Sequence, residues 1–253
     1  MTPERQSPQT AIVRFGGGAL LFAAVAFVAV FLYLATVFDY PDVLEGTPEE
    51  VLPALLATGP TGRAVWAFYA LLPLLFLPAG VGAFQALRPV GEGWMHLAML
   101  FATVSALASV LGLMRWPSVI WELAEVYGSA GVEGQRVIGA LFDGLNRYLG
   151  NFIGEFLGEL CFNAFFFISA LAMLRRASGF SRWIGWLGIV TSSLGFVGMF
   201  RNAVGLVEPI AEVNNYLLPI WLGVFGVALL RHRGEPAIKT MHADAKRSDL
   251  SAS

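Results

Sequence analysis

The chain has 253 residues, 57% of them hydrophobic and only 13% charged, with a net charge of −2 and one cysteine. Soluble domains carry about 25% charged residues, so much of this surface must face something other than water. The slightly acidic balance excludes nucleic acid as a partner, since that needs a basic footprint, and the lone Cys161, set in an apolar run, reads as packing and cannot form an internal disulfide.

In chain order, residues 1–13 hold Glu4, Arg5 and two prolines and read as a disordered N-terminal tail. The apolar run that follows is long for a signal peptide and lacks a clear small-x-small cleavage site, so it is expected to be retained. A membrane-crossing helix needs about 20 mostly apolar residues. Runs of that kind cover 15–38, 64–87, 93–114, 160–174, 183–200 and 213–230. They predict an all-α integral membrane bundle of six transmembrane helices over 14–231. The short alternating strands of a barrel are absent. The polar stretch 232–253 is expected to be a disordered cytoplasmic tail.

The connections 88–92 and 175–182 are little more than turns, so spans two and three, and four and five, are expected to form antiparallel hairpins. The first outer loop carries TPEEVLPALLATG (47–59). Thr47 as N-cap, Pro48 at the first helical position and Glu50 placed for a capping box predict an amphipathic helix there. Its Val51, Leu52, Leu55 and Leu56 are expected on the membrane surface. Pro73 and Pro78 are expected to kink span two. The third outer loop, 115–147, opens with WPSVIWELAEVY, whose Trp116, Trp121 and Tyr127 favour the membrane–water interface. Gly128, Gly131 and Gly134 break it, and a second amphipathic helix from about Gln135 leads into span four, with either a bend between Gly144 and Gly150 or a helix standing well clear of the membrane expected.

Six spans put both termini on one side. That side holds eleven of the 16 Lys and Arg, against Arg63, Arg115, Arg136, Arg147 and Arg201 on the other. The excess places both termini in the cytoplasm.

The stretch YLGNFIGEFLGELCFN (148–163) carries the least expected residues. Gly150, Gly154 and Gly158 repeat at every fourth position, and Asn151, Glu155, Glu159 and Asn163 follow the same spacing one residue later. Counting about 20 residues back from Arg175 at 1.5 Å each reaches Glu155 near the outer boundary, with Glu159 about 6 Å and Asn163 about 12 Å deeper. A carboxylate facing lipid there would cost a few kcal/mol. Glu159 is therefore expected to face the bundle with Arg115 or Arg201 as partner, and Glu155 to lie more exposed, nearer Arg147 or water. The glycines would let a neighbouring helix approach closely.

Three readings of the set Arg115, Arg147, Asn151, Glu155, Glu159, Asn163 and Arg201 stay open: ion pairs that fix helix register, a ligand or ion site in an outer-facing cavity, and a proton-coupled site on Glu159. Other chemistry is thin. The histidines are His96, His232 and His242, with no pair inside the spans for haem, and both lysines lie in the C-terminal tail, which excludes a retinal Schiff base. No HExxH, CxxC or GxSxG occurs. No cofactor and no metal are expected, no residue is singled out as catalytic, and an enzyme using Glu155 or Glu159 as an acid–base group ranks last.

LMRWPSVIWELAEVY, RYLGNFIGEFLGEL and SRWIGWLGIV together resemble a group of bacterial multi-pass membrane proteins known only as a domain of unknown function. The resemblance spans roughly 14–230. It implies a bacterial inner (plasma) membrane location and points to Arg115, Glu155 and Glu159, but it brings no activity. The function expected from the residues is binding or transport of a small amphipathic or anionic molecule at an outer-facing polar cavity. The alternative is an accessory or scaffold subunit of a membrane complex, with the Arg–Glu cluster purely structural. The partners expected are the lipid bilayer, a small-molecule or lipid ligand and, on the alternative, another membrane protein.

Overall fold

The computed structural model describes residues 8–41, 43 and 46–232. Helix α1 (Pro8–Val37) takes in 8–13, part of the expected tail. The rest of both expected tails, 1–7 and 233–253, lies outside the described residues. Behind α1 come α2 (Pro48–Ala57), α3 (Gly59–Leu71), α4 (Phe76–Met114), α5 (Trp121–Tyr127), α6 (Val132–Leu145), α7 (Gly158–Met173), α8 (Arg182–Gly198) and α9 (Glu208–Arg231). The fold is all-α, with no strand among the described residues. Four helical stretches are long and apolar enough to cross a membrane: Pro8–Val37, Gly59–Tyr127, Val132–Met173 and Gly205–Arg231. Their length and composition mark the chain as an integral membrane protein.

α1 is central because adjacent glycines point to two faces about 100° apart. A Cβ on Gly16 would stand 2.6 Å from the Pro78 carbonyl oxygen of α4, and one on Gly17 would stand 2.7 Å from the Gly226 oxygen of α9. Side chains at either position would push a neighbouring helix away. Pro73 has the effect its chemistry dictates: without an N–H it tightens the chain into a 3-10 turn, Leu72–Leu75, between α3 and α4.

α4 is not straight. At Gly91 the backbone leaves helical geometry (φ 172°, ψ 72°), and the two halves fold back on each other. The rings of Phe84 and His96 lie 4.5 Å apart, and a Cβ on Gly80 would meet the Ala102 Cβ at 3.0 Å. The guanidinium of Arg175 donates to the Val90 carbonyl and ties down this turn. The hairpin expected at 88–92 is present. The second tight turn, at 175–182, is closed by a left-handed Gly179 (φ 72°).

The opposite end of the bundle carries a cap built from α2, α5 and α6, and here two expectations are corrected. Val51, Leu52 and Leu55 are fully buried and do not lie on a membrane surface; only Leu56 is half-buried. Trp116, Trp121 and Tyr127 are 1%, 5% and 6% exposed and form no interfacial belt. These groups meet one another, with Phe38, Trp66 and Phe142, in a separate hydrophobic core. Trp66 stacks on Trp116 with centroids 5.0 Å apart. Burial against other apolar groups releases more water-exposed area than a one-sided contact with headgroups, at about 1.5–3 kcal/mol for each large side chain. Thr47 and Glu50 start α2 as expected: the Glu50 carboxylate accepts the Thr47 N–H at 3.0 Å, and Pro48 occupies the first turn. Arg63 clamps the cap to α3. It donates to the Pro117 carbonyl at 3.0 Å and to Glu122 at 3.0 Å, and it lies over the Trp121 ring.

Between α6 and α7 the chain stays helical. Asn146–Leu157 is wound as a π-helix, and a shorter π segment, Trp116–Ile120, follows α4. The larger helical core fills the rest of the bundle, from Val13 and Leu20 of α1 to Phe225 and Leu229 of α9.

Candidate functional site

Arg115, at the start of the shorter π segment, lies with its side chain against the longer one. Proline explains the first: Pro117 has no N–H to donate, and the Ile120 N–H bonds instead to the Arg115 carbonyl, five residues back, at 2.9 Å. The second carries the glycine ridge. On an ordinary helix residues four apart drift by about 40° per step, so a ridge from 146 to 158 would turn off its partner. Wider winding turns less per residue, and Gly150, Gly154 and Gly158 all meet the preceding helix.

The three glycines face Ser109, Gly112 and Arg115. A Cβ on Gly112 would stand 2.6 Å from the Gly154 Cα, and one on Gly158 would stand 3.0 Å from the Ser109 Oγ. A Cβ on Gly150 would fall 2.4 Å from Arg115 Nη2 and 2.6 Å from its Cζ. The glycine groove therefore does two things: it brings backbones into contact, and it makes room for a guanidinium. Arg115 is 5% exposed. It donates from Nε and Nη2 to the Asn146 Oδ1 at 3.0 and 2.8 Å, donates to the Gly112 carbonyl, and lies 5.1 Å from the Trp116 ring centre. Arg115 is thus not the ion-pair partner of Glu159; Asn146, which the sequence reading passed over, holds it instead.

Arg201, in the turn after α8, is the hub of the carboxylates. Its Nη1 and Nη2 donate to the two oxygens of Glu159, each at 2.8 Å, in a bidentate fork. Nη2 also donates to Glu155 Oε2 at 2.9 Å, and Asn202 Nδ2 donates to the same oxygen at 2.6 Å. Glu155 is therefore not turned toward Arg147. It shares Arg201, and its side chain is 29% exposed against 33% for Glu159 and 26% for Arg201. One step deeper, Asn163 is 3% exposed and donates to the Glu159 carbonyl at 2.8 Å. Of the seven residues singled out from sequence, four come together: Glu155, Glu159, Asn163 and Arg201. Arg115 sits with Asn146 on the glycine face of the same helix. Arg147 is exposed and Asn151 half-buried, and neither belongs to the ion pairs of this cluster.

Residues 15–230 match the family described as "Domain of unknown function (DUF4386)". The chain belongs to that family. No curated protein matches it, and no solved structure does. Membership covers the whole helical bundle and carries no activity with it.

The electrostatics of the cluster follow from its contents. Two carboxylates share one guanidinium, so the trio holds one negative charge in excess. Both terminal nitrogens of Arg201 are engaged by carboxylates, so it is no bare anion receptor. No group of three or more His, Cys, Asp or Glu is placed to hold a metal ion among the described residues. Beside the charges stands an aromatic wall: Phe156 meets Phe200 edge-to-face at 5.4 Å and Phe152 at 6.4 Å. Phe152 and Phe200 are 49% and 41% exposed. Tyr40 lies within electrostatic reach of Arg115, Arg201 and Glu155. Asn146, Asn202 and Tyr40 carried no sequence signal, since each is an ordinary polar residue in a polar stretch. Phe156 and Phe200 could have been found, because each is next in sequence to a charged residue of the cluster.

Proposed function

We propose that the chain crosses a bacterial inner membrane six times, with both termini in the cytoplasm and the cap outside. On this reading Gly59–Tyr127 supplies two crossings because it folds back at Gly91. The 17 residues of α8 make a fifth, extended by the turn that carries Arg201. The Lys and Arg asymmetry supports the orientation.

At the outer border the protein binds a small amphipathic molecule. One observation carries this reading: a hydrogen-bonded ion cluster, a quarter to a third exposed, stands beside the exposed rings of Phe152 and Phe200 at the expected membrane boundary. A polar head with both donors and acceptors can use the free lone pairs of Glu155 and the amide of Asn202, while its apolar part lies on the rings. Because Arg201 is already shared by two carboxylates, a neutral or zwitterionic head suits the site better than a simple anion. Native mass spectrometry of the protein taken from membranes into nanodiscs should show a retained amphiphile, lost in Phe200→Ala and Asn202→Leu. Retention unchanged in both variants would overturn the reading.

The scaffold reading rests on the completeness of the Arg201 fork, which is what a purely structural clamp would show. It predicts a copurifying membrane protein and no amphiphile.

A further inference from the structure

Helices α8 and α9 run antiparallel in a register that two contacts establish. A Cβ on Gly198 would stand 3.0 Å from the Ala211 Cα, and one on Gly188 would stand 2.6 Å from the Trp221 ring. The same register places Asn214 opposite Gly195. On the bare backbone of Gly195 lies the carboxamide of Asn163, whose Oδ1 is 2.1 Å from where a Cβ would be. Three helices thus bring two asparagines to one level, one helical turn below Glu159. Ser192 lies about 4.5 Å further from the cap, and Trp221 about 10 Å beyond Asn214, at 1.5 Å per residue.

These groups are buried: Asn163 3%, Asn214 8%, Ser192 1%, Trp221 0% exposed. Three of their polar atoms, Asn214 Oδ1, Ser192 Oγ and Trp221 Nε1, have no hydrogen-bond partner among the described residues. One such orphan can be strain. Three on one interface, at successive levels a few ångströms apart, have the spacing of a hydrogen-bonded file, and buried polar groups of this kind are ordinarily satisfied by bound water. The file has a definite end. Beyond Trp221 the bundle is closed by rings: Trp221 stacks on Phe225 at 5.2 Å, and Phe166 meets both at 5.9 and 6.0 Å.

We propose that α7, α8 and α9 enclose a file of bound water that descends from the Glu159–Arg201 pair past Asn163, Asn214 and Ser192 to Trp221, where the aromatic plug stops it. The site takes water, and it gives Glu159 a hydrated route from the cap end toward the middle of the bundle. This extends the polar cluster but does not depend on an amphiphile bound there.

Hydroxyl-radical footprinting of the wild-type protein in nanodiscs tests it, since radicals form from water held against a side chain. Trp221 should be oxidised several-fold faster than Trp116, which is equally enclosed at 1%. In Asn214→Leu, which keeps the volume and removes the acceptor, that excess should fall away and the melting temperature should stay the same or drop. Trp221 oxidised no faster than Trp116 overturns the proposal. So does a higher melting temperature in Asn214→Leu, because a dry orphan gains stability when its polarity is removed. Retention of an amphiphile is read by mass and Trp221 by oxidation, so the two readings fail separately.

Discussion

Arg201 is shared by two carboxylates, and that makes the cluster asymmetric to mutation. Glu159→Gln removes one charge but leaves Arg201 bonded to Glu155, and the amide still offers one acceptor. Losing part of a hydrogen bond to a charged group costs about 1–2 kcal/mol. Arg201→Met strands two carboxylates on adjacent turns of one helix, with only Asn202 left to Glu155. Breaking a buried pair costs about 3–5 kcal/mol; with side chains 26–33% exposed, solvent screening reduces this to about 2–4 kcal/mol. At roughly 2–4 °C per kcal/mol for a chain of this size, Arg201→Met should lower the melting temperature by about 4–16 °C and Glu159→Gln by about 2–8 °C. The triple variant Arg201→Met, Glu155→Gln, Glu159→Gln should recover much of the Arg201 loss, because no unpaired charge remains. Thermal unfolding in nanodiscs, followed by tryptophan emission, measures all three. Equal losses in the two single variants, or a triple variant worse than Arg201→Met, would refute the shared-hub account.

Gly150→Ala should lower the melting temperature by an amount equivalent to about 1–3 kcal/mol, because its Cβ would strike the Arg115 guanidinium at 2.4 Å. Gly144→Ala, with nothing within 4 Å of the new Cβ, should be neutral or stabilising by up to about 1 kcal/mol through helix propensity. Glu49, in the first turn of α2, has its pKa lowered by hydrogen bonds from its own backbone N–H and from Thr47. The folded value lies below the unfolded one, so this contribution is present above the ordinary 4.5 and is lost as pH falls through the folded value. Proteolysis of the cap should therefore rise on acidification below pH 4.5 in the wild type, and rise less in Glu49→Gln.

Much of this architecture is legible in charge and hydropathy. The bounds of the apolar runs follow from where Arg, Asp and Glu stop, and a turn such as 88–92 is visible because it is short and carries Pro89 and Gly91. The cap was only half legible. Its α2 helix is announced by Thr47, Pro48 and Glu50, but the destination of Val51, Leu52 and Leu55 is not, since an apolar helical face suits a membrane surface and a protein core equally well. Trp116 and Trp121 were misplaced for the same reason. Aromatic residues near a span end favour the interface on average, and only the fold of 115–145 back over α2 decides otherwise. No local pattern in the chain encodes that long-range contact.

The partner of Glu159 shows where reading by spacing stops. Depth along a helix follows from rise, and Glu155 and Glu159, one turn apart, both reach Arg201. Direction around a helix depends on residues per turn, and an error there accumulates. Winding 146–157 as a π-helix changes the rotation at every step. Gly150 lies on Arg115, Gly154 on Gly112 and Gly158 on Ser109, while Glu155 and Glu159 face Arg201. Two arginines at one depth were equally good partners by distance along the chain. The winding, set in part by a proline that cannot donate at 117 and by glycines that admit a guanidinium at 150, assigns one to the amide of Asn146 and the other to both carboxylates.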